Sequence, residues 1–281
     1  MSAPEAGPPR RIAPDLGRRA LTALLVLPAL LAGLLLGPPA LAVGIVGLAV
    51  LLGLLEYFRL LEARGLVPFS AVGLVLATAL FFEETHPHWP GAPLWPLLGL
   101  VLLIAVLARR GELAATVASG AATLLGATYL GALGGSLAGL RLIEPAAGGA
   151  SRLLLLLAIV MGSDTAAFFV GHAVGKRPLA PRLSPKKTVE GALGGLLGGV
   201  IGALAVRWGS LESMPIPHAV VLGLLVAALG MAGDLLESLL KRWAGVKDSG
   251  TLLPGHGGML DRLDSLLFGA PLLYYYFWWT R

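Results

Sequence analysis

Acidic side chains stand in otherwise apolar surroundings at Asp164, within Met161-Gly162-Ser163-Asp164-Thr165, and at Asp234 and Glu237. Charge in a hydrocarbon setting is costly and by default marks function. Asp234 and Glu237 are three residues apart, so on a helix they share one face, which Ser238 and Lys241 extend by a turn. Carboxylates this close repel unless a cation sits nearby, and a divalent metal meets that need. A buried structural pair, Asp234 or Glu237 with a lysine from another helix, is the competing reading. Asp261 and Asp264 repeat the spacing after a glycine-rich turn that holds Lys247, Asp248, Gly255, His256, Gly257 and Gly258. Glycines let backbone amides approach an anion closely. Hard carboxylate oxygens, with no cysteine in the chain and one local histidine, favour Mg²⁺ over zinc. Carboxylate-held Mg²⁺ beside Lys241, Lys247 and Arg262 is equipment for phosphoryl or nucleotidyl transfer. His256, between two glycines, either holds the loop or takes part in the chemistry.

A second polar stretch, Ser184-Pro185-Lys186-Lys187-Thr188-Val189-Glu190-Gly191, precedes a helix. A helix N-terminus with adjacent lysines and hydroxyls suits a phosphate. Membrane topology alone would explain the lysines, but not Ser184, Thr188 and Glu190 with them. Beyond it, Gly191, Gly194, Gly195, Gly198, Gly199 and Gly202 recur at helix-packing spacing. They lack the Gly-Lys-Ser/Thr ending of a phosphate loop, so they are read as packing.

The elements that position these groups follow from composition. Of 281 residues, 56% are hydrophobic and 13% charged, against about 25% charged in soluble domains. The chain reads as all-α, a polytopic integral membrane protein. Segments near 20–36, 39–58, 68–82, 93–108, 113–139, 152–175, 189–207, 217–240 and 264–280 give about nine transmembrane helices. The stretch 113–139 holds one long helix or a broken one, because Gly131, Gly134 and Gly135 cluster in it. Three regions result: a cytoplasmic N-terminal segment 1–19, N-terminal transmembrane helices 20–150, and a catalytic transmembrane region 151–281 with its signature at 238–265. A cleaved signal peptide is the alternative for the first apolar run. With the N-terminus inside, all but Arg141, Arg152, Arg207 and Arg281 of the 21 basic residues face the cytoplasm, as the positive-inside rule requires. The net charge of +5 therefore reflects topology and not a nucleic-acid partner. Without cysteine, disulfides, thiolate nucleophiles and iron–sulfur centres are excluded.

The run Ser238-Leu-Leu-Lys241-Arg242, Lys247-Asp248-Ser-Gly250 and Leu253-Pro254-Gly-His256-Gly257-Gly258-Met-Leu-Asp261-Arg262-Leu-Asp264 resembles the signature of phosphatidate cytidylyltransferases, the CDP-diacylglycerol synthases. Ser163-Asp164-Thr165, the 184–191 stretch and Gly233-Asp234-Leu-Leu-Glu237-Ser238 resemble that family too. The likeness covers 152–281, and the N-terminal half shares only hydrophobicity. The resemblance implies CTP and phosphatidic acid as substrates, with CDP-diacylglycerol and pyrophosphate as products. It also implies Mg²⁺, and it admits a second cation. Asp234 and Asp261 would hold metal. Glu237, Asp248 and Asp264 would support that shell, and Lys241, Lys247 and Arg262 would bind phosphates. Ser184, Lys186, Lys187 and Thr188 would line the nucleotide side. Asp164, Glu190, Ser238 and His256 complete the substrate-binding set. The expected location is the inner membrane, multi-pass, with the site on the cytoplasmic face. A homodimer is admitted by the likeness but not required by any spacing. The rivals are a CTP-dependent lipid kinase and a transporter using Asp164 and Asp234. The one-sided charge cluster argues against the transporter.

Overall fold

Inside a bilayer every backbone polar group needs a partner within the protein, so long apolar runs fold as helices. The computed structural model describes residues 28–86, 94–143, 148–250 and 257–280. The segment 1–19 and His256 lie outside them. The helices are α1 (28–35), α2 (Pro39–Glu62), α3 (Ser70–Thr85), α4 (Trp95–Ala108), α5 (Leu113–Gly126), α6 (Leu133–Gly139), α7 (Gly149–Val174), α8 (Val189–Ser210), α9 (Ile216–Ala244) and α10 (Leu260–Thr280). Among the described residues, five helical stretches are long and apolar enough to cross a membrane: α2, the 113–139 rod, α7, α8 and α9. The molecule is thus a helical membrane protein.

The all-α expectation needs one amendment. Strands β1 (Pro178–Ala180) and β2 (Ser184–Thr188) pair antiparallel between α7 and α8. Pro178, Pro181 and Pro185 explain it, since proline lacks the N–H that a continuing helix needs. The question of 113–139 is also answered. It is one continuous rod, with a π-helical turn at Ala127–Ala132 between α5 and α6. Its glycines press on α3: a Cβ on Gly135 would lie 2.7 Å from the Phe81 carbonyl oxygen.

The glycine stripe of α8 packs as expected. A Cβ on Gly162 of α7 would lie 2.8 Å from the Gly198 carbonyl oxygen, so the two backbones touch. Helix α9 ends at Gly245, whose left-handed φ of 77° returns its N–H to the last carbonyls. The chain then turns back, and α10 crosses α9 at Gly233, where a Cβ would lie 3.0 Å from the Asp264 carbonyl carbon. That crossing sets the α9 acids beside the α10 acids. Near the other helix ends, Arg141 donates to the carbonyls of Leu34, Leu35 and Gly37 at 3.0, 2.9 and 2.8 Å. Arg207 donates to those of Met214 and Glu212 at 3.0 and 3.2 Å.

Candidate active site

Three carboxylates converge where α9 and α10 cross. Oxygens of Asp234, Glu237 and Asp264 all lie within 4.8 Å of one another. Lys187 of β2 reaches across to Asp234 in a direct ion pair. Lys241 is shared: its ammonium lies 2.5 Å from Glu237 and 2.6 Å from Asp261. Asp164 of α7 interacts electrostatically with Asp234, Asp264 and Lys187. Four separate elements, α7, β2, α9 and α10, therefore meet at one place. The Lys187–Asp234 contact is the structural pair that the sequence admits, but it leaves Glu237 Oε1 buried without a hydrogen-bond partner among the described residues.

Asp261 occupies a different setting. Its Oδ2 accepts from the Ser249 amide at 3.1 Å, the Ser249 hydroxyl at 2.8 Å and the Gly258 amide at 2.8 Å. It sits in the first turn of α10, ahead of the apolar 264–280 run. Burial pushes its carboxyl up, but hydrogen bonds from Glu237, Lys241, Gly258 and Ser249 prevail and hold it below the usual carboxylate range. Ser249 and Gly258, which flank the glycine-rich stretch, thus close on Asp261, as amides close on an anion.

The hairpin residues divide. Lys187 points into the cluster, while Lys186 is exposed. Thr188 caps α8, accepting from the Gly191 amide at 3.1 Å. Glu190 accepts from the Lys176 and Arg177 amides at 3.0 and 3.1 Å, which closes the base of the hairpin. Ser184 is half-buried at the start of β2, and Ser238 is buried on α9. Lys247, Asp248 and Arg262 are exposed at the rim.

Two residues of the N-terminal half also reach this place. Glu56 of α2 is fully buried, and its Oε2 accepts from the Ser249 hydroxyl at 3.0 Å and the Leu260 amide at 2.9 Å. Tyr129, on the π-helical turn, lies edge-on to Phe268 at 5.8 Å, and its buried hydroxyl has no hydrogen-bond partner among the described residues. Its environment includes the Asp264 and Glu237 charges. The cost of charge in an apolar run, applied to Asp164, would have singled out Glu56 as well.

The donor set fits a divalent cation. Hard oxygens from three side chains converge, two lysines hold only parts of their charge, and one carboxylate oxygen is orphaned. The family model described as "Cytidylyltransferase family" matches residues 17–280. A phosphatidate cytidylyltransferase of Synechocystis sp. is 35% identical, over 82% of this chain and 86% of its own. One of Pseudomonas aeruginosa is 37% identical, over 94% of this chain and 97% of its own. One of Helicobacter pylori is 49% identical, over 47% of this chain and 51% of its own. The likeness therefore extends through the N-terminal half, which motif reading had confined to shared hydrophobicity. With the family match covering nearly its whole length, the chain belongs to the cytidylyltransferase family.

Proposed function

We propose that this enzyme transfers the cytidylyl group of CTP to phosphatidic acid, giving CDP-diacylglycerol and pyrophosphate, at the crossing of α9 and α10. One observation carries the location: carboxylates of Asp234, Glu237 and Asp264 converge between two lysines, at the end of the helices that also holds the glycine-rich turn. The lipid phosphate oxygen attacks the α-phosphorus of CTP, the bond to the β-phosphate oxygen breaks, and pyrophosphate leaves with that oxygen. No covalent enzyme intermediate is needed, so positioning and charge neutralisation supply the catalysis.

Asp234, Glu237 and Asp264 would hold Mg²⁺, and Asp261, which the sequence paired with Asp234 as a metal ligand, would act on that set through Lys241, which it shares with Glu237. When bound, the ion neutralises phosphate charge. Lys187, on the hairpin and paired with Asp234, and Lys241, on α9 and paired with Asp261, would bind the phosphates. Lys247 and Arg262 at the rim receive the nucleotide, and Asp164 lies on the α7 side, where a lipid headgroup enters between helices. The site faces the cytoplasm of the inner membrane, where CTP is found, within a topology of nine spans. The preponderance of Lys and Arg in the segments on that side supports this. The family likeness also carries the homodimer into this proposal.

The test is an assay of the purified protein in detergent with phosphatidic acid and CTP labelled separately in cytidine and in the γ-phosphate. Cytidine label in the lipid is the expected result. γ-Phosphate label in the lipid would identify a kinase, and no label in the lipid would leave a transport role.

A further inference from the structure

We infer that Glu56 is a positioning residue for this site, holding Ser249 and the start of α10 from the N-terminal half of the chain. The inference rests on the proposed reaction at the α9–α10 crossing. Glu56 is fully buried on α2, yet its partners are 193 and 204 residues away. The Leu260 amide it accepts belongs to the first turn of α10, where helix N–H groups have no partner in their own helix. A carboxylate there also suits the positive end of the helix dipole. Glu56 thus caps α10 from another helix.

The second contact reaches the chemistry. The Ser249 hydroxyl lies 3.0 Å from Glu56 Oε2 and 2.8 Å from Asp261 Oδ2. A hydroxyl has one proton to donate, so the two carboxylates compete for it and their placements are coupled. Asp261 in turn holds Lys241, which holds Glu237. A relay of direct contacts therefore runs from α2 to the carboxylate cluster. The turn is shaped to admit it: a Cβ on Gly250 would lie 2.6 Å from the Glu56 carboxyl carbon, and one on Gly258 would lie 2.7 Å from the Gly250 nitrogen. Only glycine lets the backbone close this tightly over the carboxylate.

The experiment compares Glu56→Gln, Ser249→Ala and their double variant in the full chain, measuring kcat, KM for both substrates and the thermal midpoint in detergent. A small displacement of positioned groups costs up to about 100-fold in rate. Glu56→Gln should lower kcat about 10- to 100-fold with both KM values and the midpoint little changed. The double variant should be no slower than Ser249→Ala alone, because both changes break one relay. Wild-type kcat in Glu56→Gln, multiplying losses in the double variant, or a midpoint that falls in step with the rate would each overturn the inference. If Glu56→Gln does not accumulate in membranes, Ser249→Ala alone reads the same relay: a fall in kcat with the midpoint unchanged supports the inference, and an unchanged kcat overturns it. A wild-type protein that forms no CDP-lipid contradicts the proposed reaction instead. The contact would then be read by the midpoint alone. Gly250→Ala should lower it and added Glu56→Ala should restore it, and no restoration overturns the inference.

Discussion

At the scale of single residues, the site is an arrangement of acids that share too few cations. Lys241 is the pivot, because one ammonium touches both Glu237 and Asp261. Removing one partner of a buried pair costs about 3–5 kcal/mol, since the charge left behind stays buried. Lys241→Met should therefore lower the thermal midpoint in detergent and reduce turnover at least about 100-fold, the scale of losing one group that stabilises transition-state charge. Adding Glu237→Gln should restore the midpoint but not turnover, and a restored rate would deny Lys241 a role in the chemistry. The main acids were legible in the sequence because charge among apolar residues is conspicuous. The hydrogen bonds of Thr188 and Glu190 were not, because local backbone geometry decides them. Glu56 was legible by the same argument, as an acid within the apolar 39–58 run, but nothing in the sequence sets it beside Ser249 and Leu260.

At the scale of elements, close packing of α7, α8 and α9 sets the positions of Asp164, Lys187 and Asp234. Residue spacing revealed the glycine stripe of α8, since a 3.6-residue period turns spacing into a face. The hairpin was not legible as strands: three prolines mark a break in the helix without saying what replaces it. Nor does apolar content show that the 113–139 rod contains a π-helical turn. The packing argument yields a paired prediction. Gly198→Ala forces a methyl against the α7 backbone near Gly162, and such overpacking costs about 1–3 kcal/mol. Gly209→Ala, at the end of the same helix, meets nothing within 4 Å among the described residues. The thermal midpoint should fall for Gly198→Ala and not for Gly209→Ala, with turnover following the midpoint. Equal behaviour would mean that the α7–α8 contact does not hold the site together.

At the scale of the whole molecule, two halves that looked separable in sequence are joined at the site. Glu56 and Tyr129 bring the N-terminal helices to the carboxylate cluster, in keeping with a family match that begins at residue 17. The membrane character was legible from composition alone. Contacts between distant helices were not, since hydrophobicity carries no information on which apolar face meets which. Sidedness is directly testable because the chain has no cysteine. Arg182→Cys, in the exposed hairpin turn, should react with an impermeant maleimide only after the cells are opened, whereas Glu212→Cys, between α8 and α9, should react in intact cells. The reverse pattern would invert the proposed topology. The most direct test of the account as a whole is the rate of cytidylyl transfer to phosphatidic acid by Asp234→Asn and Asp261→Asn, measured across a Mg²⁺ titration. Both variants should still insert and fold, with a thermal midpoint lowered by the lost ion-pair partner, and form no CDP-diacylglycerol at any Mg²⁺ concentration. Near-normal turnover by either one would contradict the assignment of this carboxylate cluster as the catalytic centre.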